Sequence, residues 1–265
     1  MSKARFKAAF GPWAVVTGAS DGIGHSFALA LAKRGVHLIL TARREPLLQA
    51  LAARLRSSYG IEVVVVATDY AVPSGVALTL KAVEGREIGL LVCSAGFGTA
   101  GPFLQNDITN ELEMVQVNCS ALADLSWHLG QTMIRQGRGG LILLSSIVAF
   151  QGVPRSANYA ATKAYVQTLA EGLNGEWASQ GVPVMAVAPG PVQTGFATRS
   201  NLRMGKASHP DVVAEESLRK LGKRVTVRPG WLAKILGYGL ASAPRWVRVK
   251  IMGVIMKGMT RHLPG

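Results

Sequence analysis

The eight residues TGASDGIG at positions 17–24 restrict the fold more than any other stretch of the chain. They continue the apolar run 13–17 and lead directly into a helix candidate at 22–34. A strand-to-helix turn this tight needs glycine: Gly18 to turn the chain, Gly22 to let backbone amides approach an anion, Gly24 to let the helix pack on the strand. The first turn of such a helix presents free N–H groups and a partial positive charge. With a strand before it and a helix after it, the loop, which also carries Ser20, Asp21 and Ile23, reads as a cradle for a dinucleotide pyrophosphate. For the glycines taken alone, an ordinary turn is the other reading.

Short β-branched apolar runs alternate with longer segments of helical period. Strands are predicted at 13–17, 37–41, 62–67, 89–93, 140–144 and 183–188, and helices at 22–34, 46–58, 74–84, 111–136 and 158–179. The strands are apolar almost throughout, as expected where helices cover both faces of a parallel sheet. The fold class is therefore α/β with a doubly wound parallel sheet. The chain of 265 residues, 49% hydrophobic, is read as one domain whose core requires no staples. Its two cysteines lie in apolar stretches without zinc or disulfide spacing, and its five histidines are scattered, so no metal is expected and a reducing, cytoplasmic compartment is. The N-terminal residues lack an apolar leader, so secretion is not expected. The stretch 191–230 loses the regular alternation and is read as a substrate lid over the C-terminal sheet edge, followed by a tail at 231–265.

The second strand ends in Leu40-Thr41-Ala42-Arg43-Arg44, where a carboxylate would otherwise meet an adenosine ribose. Two guanidiniums in its place suit a 2′-phosphate and favour NADP(H), although they would also cap a strand on a solvated edge. Asp69, past the third strand, is placed to accept from an adenine amino group or to hold a turn. Further on, Tyr159 and Lys163 share one helix face at i, i+4 spacing. A phenol is a poor acid–base group near neutrality, and an adjacent ammonium would draw its pKa downward. Ser146 follows the fifth strand directly, at the rim where a carbonyl would be polarised, and Asn118 sits in an apolar helix where an amide needs partners.

Together these residues resemble the short-chain dehydrogenase/reductase family, with its Rossmann fold, over residues 12–196. In order they are TGASDGIG, Asp69, Cys93-Ser94-Ala95-Gly96, Asn118, Ser146, Tyr159, Lys163 and Pro189-Gly190-Pro191-Val192-Gln193-Thr194. The family motif on strand four usually has two asparagines before Ala-Gly, and here Ser94 supplies a hydroxyl instead of an amide. The resemblance implies that NADPH delivers hydride to a carbonyl carbon, Tyr159 protonates the oxygen and Ser146 hydrogen-bonds it. It also implies that Lys163 binds the nicotinamide ribose and lowers the Tyr159 pKa. Asn118 would hold a helix kink and a relay water, and Ser94, Ala95, Gly96, Pro189, Gly190, Val192 and Thr194 would line the cofactor. A homodimer through the helices near 111–136 and 158–179 is expected on the same ground. A noncatalytic NADP(H) sensor or membrane-surface scaffold is the alternative, with no need for Ser146, Tyr159 and Lys163 together.

The formal charge of +14 is unevenly placed: residues 1–198 carry a net +3 and residues 199–265 a net +11. The tail RPGWLAKILGYGLASAPRWVRVKIMGVIMKGMTRH resembles the ends of the 3-oxoacyl-CoA reductase and 17β-hydroxysteroid dehydrogenase branch, which implies a bulky apolar or acyl-thioester substrate. Three readings of its charge stay open. It is a solvated basic face with Trp231, Leu232, Ile235, Trp246, Val249 and Ile255 packed inward, a peripheral membrane helix pair, or a steering field for a phosphorylated carrier. No nucleic-acid module accompanies the charge. The substrate pocket is expected from 97–103, 150–155 and 196–227.

Overall fold

The computed structural model describes residues 1–203 and 205–263. Met204 of the expected lid and Pro264 and Gly265 of the expected tail lie outside the described residues. Seven strands form one sheet in the order β3-β2-β1-β4-β5-β6-β7, with β1 Trp13–Thr17, β2 His37–Ala42, β3 Val63–Ala67, β4 Ile88–Cys93, β5 Leu141–Leu144, β6 Val184–Val187 and β7 Thr226–Val227. Every pairing is parallel.

Because successive strand side chains point to opposite faces, β1 feeds two cores at once. Ala14 and Val16 join one cluster with Phe27 and Leu31 of α2 (Gly22–Ala32) and Leu48 and Leu55 of α3 (Glu45–Tyr59). Trp13 and Val15 join the other, which also holds Val76 of α4 (Ser74–Val83), Leu125 and Met133 of α6 (Ala121–Gln136) and Val166 of α7 (Ala157–Trp177). Full burial on both faces explains the uninterrupted apolar runs of β1, β4, β5 and β6, whereas at the edge strand β3 only Val63 is buried. The order reverses between β1 and its neighbours β2 and β4, and the C-terminal ends of strands diverge there into a crevice.

Four differences from the sequence reading have physical causes. An N-terminal helix α1 (Lys3–Phe10) forms because Ser2 caps it and Phe6 and Phe10, four apart, are both buried. The helix expected over 111–136 divides into α5 (Ile108–Val115), a π-helical turn over Gln116–Ser120, and α6, with Ala121 N–H donating to Gln116 O five residues back. Two further helices are α8 (Phe196–Arg199) and α9 (Pro210–Lys220), and α9 corrects the lid boundary 191–230. Its Val213, Ala214 and Leu218 enter the core with Phe27, and its Asp211 accepts from Ser26 Oγ of α2 at 2.6 Å. The charged residues of this segment hid those buried positions. The chain then adds the edge strand β7 and ends in two helices, α10 (Trp231–Ala241) and α11 (Arg245–Met259). Among the described residues no helix is long and apolar enough to cross a membrane.

Candidate active site

Glycine geometry builds the cradle first. Gly18 and Gly22 have φ of +66° and +57°, in the left-handed region that favours glycine. A Cβ on Gly18 would stand 2.9 Å from the Ala95 backbone, one on Gly22 2.7 Å from Thr194 Cγ2, and one on Gly24 would collide with the Gly18 carbonyl. Asp21 caps α2, accepting from Gly22 N–H at 2.7 Å, while its other oxygen accepts from Gly195 N–H at 3.3 Å. One carboxylate thus joins the phosphate loop to the loop after β6. These features, with the helix N-terminus beyond them, fit a dinucleotide pyrophosphate.

At the ribose end, Arg43 Nη1 lies 3.6 Å from Asp69 Oδ2, and Arg44 Nη2 donates to Ser20 Oγ at 3.1 Å. Asp69 Oδ1 accepts from Ala71 N–H at 3.0 Å, so it holds a turn and faces Arg43 as well. Thr17, not singled out from sequence, accepts from the backbone N–H of Ser94 at 3.0 Å and of Ala95 at 2.9 Å. It braces β1 against the end of β4 through the backbone of residue 94, which explains why a serine is accommodated there.

Strand β5 carries Ser146 just past its end, and α7 carries Tyr159 and Lys163 along one face. The Ser146 hydroxyl accepts from Val148 N–H at 3.3 Å and lines the same cavity as the Tyr159 phenol, near enough to oppose the rise in its pKa. Lys163, buried, donates from Nζ to Leu144 O at 2.7 Å, and its Nζ sits 5.7 Å from the Tyr159 ring centroid. Asn118 lies in the π-helical turn, where its Oδ1 accepts from Phe97 N–H at 3.1 Å and its Nδ2 donates to Phe97 O at 2.8 Å. Both polar ends of a buried amide are thereby satisfied, and the chain beyond β4 is fixed beside Lys163. Burial raises the Tyr159 phenol above its ordinary value, with Ser146 opposing. The ammonium is bonded to a carbonyl, and burial lowers it to about 8, only partly offset by Cys119 and Cys93.

A cavity of about 530 Å³ joins these parts. Gly18, Ser20, Asp21, Gly22, Ile23, Arg43, Arg44, Asp69, Ser94, Ala95 and Gly96 line it, as do Ser146, Tyr159, Lys163, Pro189, Gly190, Val192 and Thr194. Gly24 and Asn118 stand behind this lining, in the packing roles just described. Beyond Tyr159 the wall is apolar: Phe97, Phe196, Leu240, Met252, Met256 and Met259. Of the pocket expected from 97–103, 150–155 and 196–227, Phe97, Phe196, Arg199 and Leu202 line the cavity and no residue of 150–155 does. Gly152 and Pro154 lie beneath α11, beside Val249 and Gly253, and the tail helices supply much of the wall. The inward packing expected for Trp231, Ile235 and Trp246 is corrected too, since they are 63%, 61% and 63% exposed. A 3.6-residue period shows which residues share a face, not which face meets the body.

The family model described as short chain dehydrogenase matches residues 12–205. The chain belongs to that family. Among its short-chain dehydrogenase relatives, human very-long-chain 3-oxoacyl-CoA reductase is 28% identical across 95% of this chain and 82% of its own length. Human inactive hydroxysteroid dehydrogenase-like protein 1 is 28% identical across 96% and 78%. Of solved structures, one described for 7beta-hydroxysteroid dehydrogenase stereoselectivity aligns with TM-score 0.86 and 26% identity, covering 93% of this chain and 98% of that one. A short-chain dehydrogenase from Sphingobium yanoikuyae in complex with NADPH aligns with TM-score 0.81 and 29% identity, covering 91% and 95%. The chain is thus a Rossmann-fold short-chain dehydrogenase of the oxidoreductase class that uses a nicotinamide cofactor.

Proposed function

We propose that this short-chain dehydrogenase is an NADP(H)-dependent reductase acting on bulky apolar or 3-oxoacyl ketones, interconverting a carbonyl and a secondary alcohol. The observation that carries the reading is that Ser146, Tyr159 and Lys163 line one cavity together with the phosphate cradle and an apolar wall. When bound, the reduced nicotinamide supplies hydride. A carbonyl oxygen between the Ser146 hydroxyl and the Tyr159 phenol accepts a hydrogen bond from the first and a proton from the second. A phenol holds its proton at neutral pH, as the donor in a reduction must. Lys163 would hold the ribose hydroxyls of the cofactor, and Asn118 fixes the turn at Phe97 beside it.

Arg43 and Arg44 at the ribose end support NADP(H) over NAD(H). A homodimer through α5, α6 and α7 is supported by exposed Leu112, Trp127 and Tyr165. Peripheral membrane contact through 231–265 is supported by exposed Trp231, Ile235, Tyr238 and Trp246 among lysines and arginines. Unpaired, buried Cys93 and Cys119 support a reducing cytoplasmic setting.

The test is a screen of NADPH and NADH oxidation over 3-oxoacyl thioesters, ketosteroids and small ketones. Turnover with NADPH on the bulky substrates, and little on the small ones, is the expected result. NADPH binding without reduction of any carbonyl would reject the reductase and leave the noncatalytic sensor or scaffold.

A further inference from the structure

The short helix α8 places its two ends on the two sides of the reaction centre. Phe196 packs its ring on that of Tyr159, with centroids 5.3 Å apart. One turn later, the Arg199 guanidinium carbon stands 4.3 Å from the centroid of the Phe97 ring. Both Arg199 and Phe97 line the cavity, and Arg199 is exposed, on its solvent side. Arg203 N–H, just after, donates to Met259 O, which holds the end of α11 against the turn that follows Arg199.

The other cations of the cavity have partners: Arg43 faces Asp69, Arg44 faces Asp21, and Lys163 is bonded to Leu144 O. Among the described residues, no carboxylate pairs with Arg199. A guanidinium laid on an aromatic face keeps its charge and its edge N–H donors for a further acceptor. Leu202, Phe196, Met256 and Met259 line the same cavity and offer that acceptor no competing polar partner from their side chains.

We propose that Arg199 anchors an anionic group of the substrate, which makes the substrate class an apolar molecule with a reducible carbonyl and a carboxylate or phosphate at one end. This rests on the reading of the cavity as a ketone site, and goes beyond it by naming a polar anchor. A carboxylate would belong to the substrate itself, and a phosphate to a thioester carrier.

Two matched pairs separate these sources: a ketosteroid with a side-chain carboxylate against its methyl ester, and a 3-oxoacyl coenzyme A thioester against its N-acetylcysteamine thioester, which lacks phosphate. Steady-state kinetics on wild type, Arg199→Gln and Arg199→Lys would be joined by calorimetric binding of each compound to the protein saturated with NADP⁺. In Arg199→Gln, KM and Kd for the anionic member of one pair should rise about ten-fold, the loss expected for one charge-assisted hydrogen bond. Its kcat should change less than two-fold, the neutral member and KM for NADPH should be unaffected, and Arg199→Lys should recover part of the loss. The pair that responds identifies the anion. Equal effects on the anionic and neutral members, or a shift confined to NADPH, would overturn the anchor. Binding that depends on Arg199 without reduction of any compound would overturn the reductase reading and support the anchor.

Discussion

Lys163 Nζ lies 5.7 Å from the centroid of the Tyr159 ring and donates 2.7 Å to Leu144 O. The ammonium is therefore held by the end of β5 and not by the phenol, whose hydroxyl is left to the cavity that Ser146 also lines.

Replacing Tyr159 with Phe should remove the proton donor and little else, because the ring keeps its contact with Phe196. Turnover should fall by about 10²–10⁴-fold, the range for loss of a positioned acid. NADPH affinity, read by fluorescence titration, should stay within about two-fold, because the removed hydroxyl contributes no bond to the phosphate cradle. Retained ketone reduction would remove Tyr159 from its proposed role.

Lys163 should be visible in the pH dependence of stability. The unfolded side chain keeps its proton up to about 10.5, the folded one up to about 8, because burial disfavours its charge. Between those values the unfolded chain binds more protons, so stability rises with pH. Relative to Lys163→Met, wild type should gain about 3 kcal/mol from pH 8 to pH 10.5 in denaturant titrations. A difference that does not change with pH would show that burial leaves this lysine unperturbed.

Arg43→Ala should weaken NADPH about 10- to 100-fold in equilibrium binding, as the loss of a charge-assisted phosphate contact does. NADH should lose no more than about three-fold, since it lacks the phosphate. Equal losses for the two would leave Arg43 as the partner of Asp69 and nothing more.

Glu216 holds the base of α10 to α9. Its Oε1 accepts from Lys220 at 2.6 Å and faces Lys234 at 2.9 Å, and its Oε2 accepts from Gly230 N–H at 3.0 Å. Burial alone would raise this carboxyl, but the three donors outweigh it and bring it down to about 2. The stabilisation is complete above pH 4.5 and is lost as pH falls toward 2. Glu216→Gln should flatten that acid limb in thermal melts and raise KM for bulky ketones more than it lowers kcat, because α10 carries Leu236 and Leu240 of the cavity wall. A KM unchanged with every substrate would separate this clamp from the wall.

Much of the fold was legible because burial on both faces leaves the strands as plain apolar runs, and because the positive-φ glycines of the cradle accept few substitutes. Asn118, Ser146, Tyr159 and Lys163 were legible for a similar reason: polar groups in apolar or rim positions need partners. Thr17 was not, since a threonine closing a β-branched strand looks like any other strand residue until its hydroxyl is seen between two backbone N–H groups. Arg199 was hidden as one of fourteen basic residues after position 198, and what sets it apart is that it lines the cavity while lying over the ring of Phe97. The tail helices could be recognised as amphipathic, but which stripe faces the body depends on α9 and the 150–155 loop, far away in sequence.

The α10–α11 wall has one further consequence. In the proposed function Asn118, Ser146, Tyr159 and Lys163 all precede residue 164, whereas Phe196, Leu236, Leu240, Met252 and Met256 of the apolar wall all follow residue 195. Reactivity and selectivity would then occupy separate stretches of the chain, and substitutions in its last quarter would change the accepted molecule without touching the proposed reaction centre.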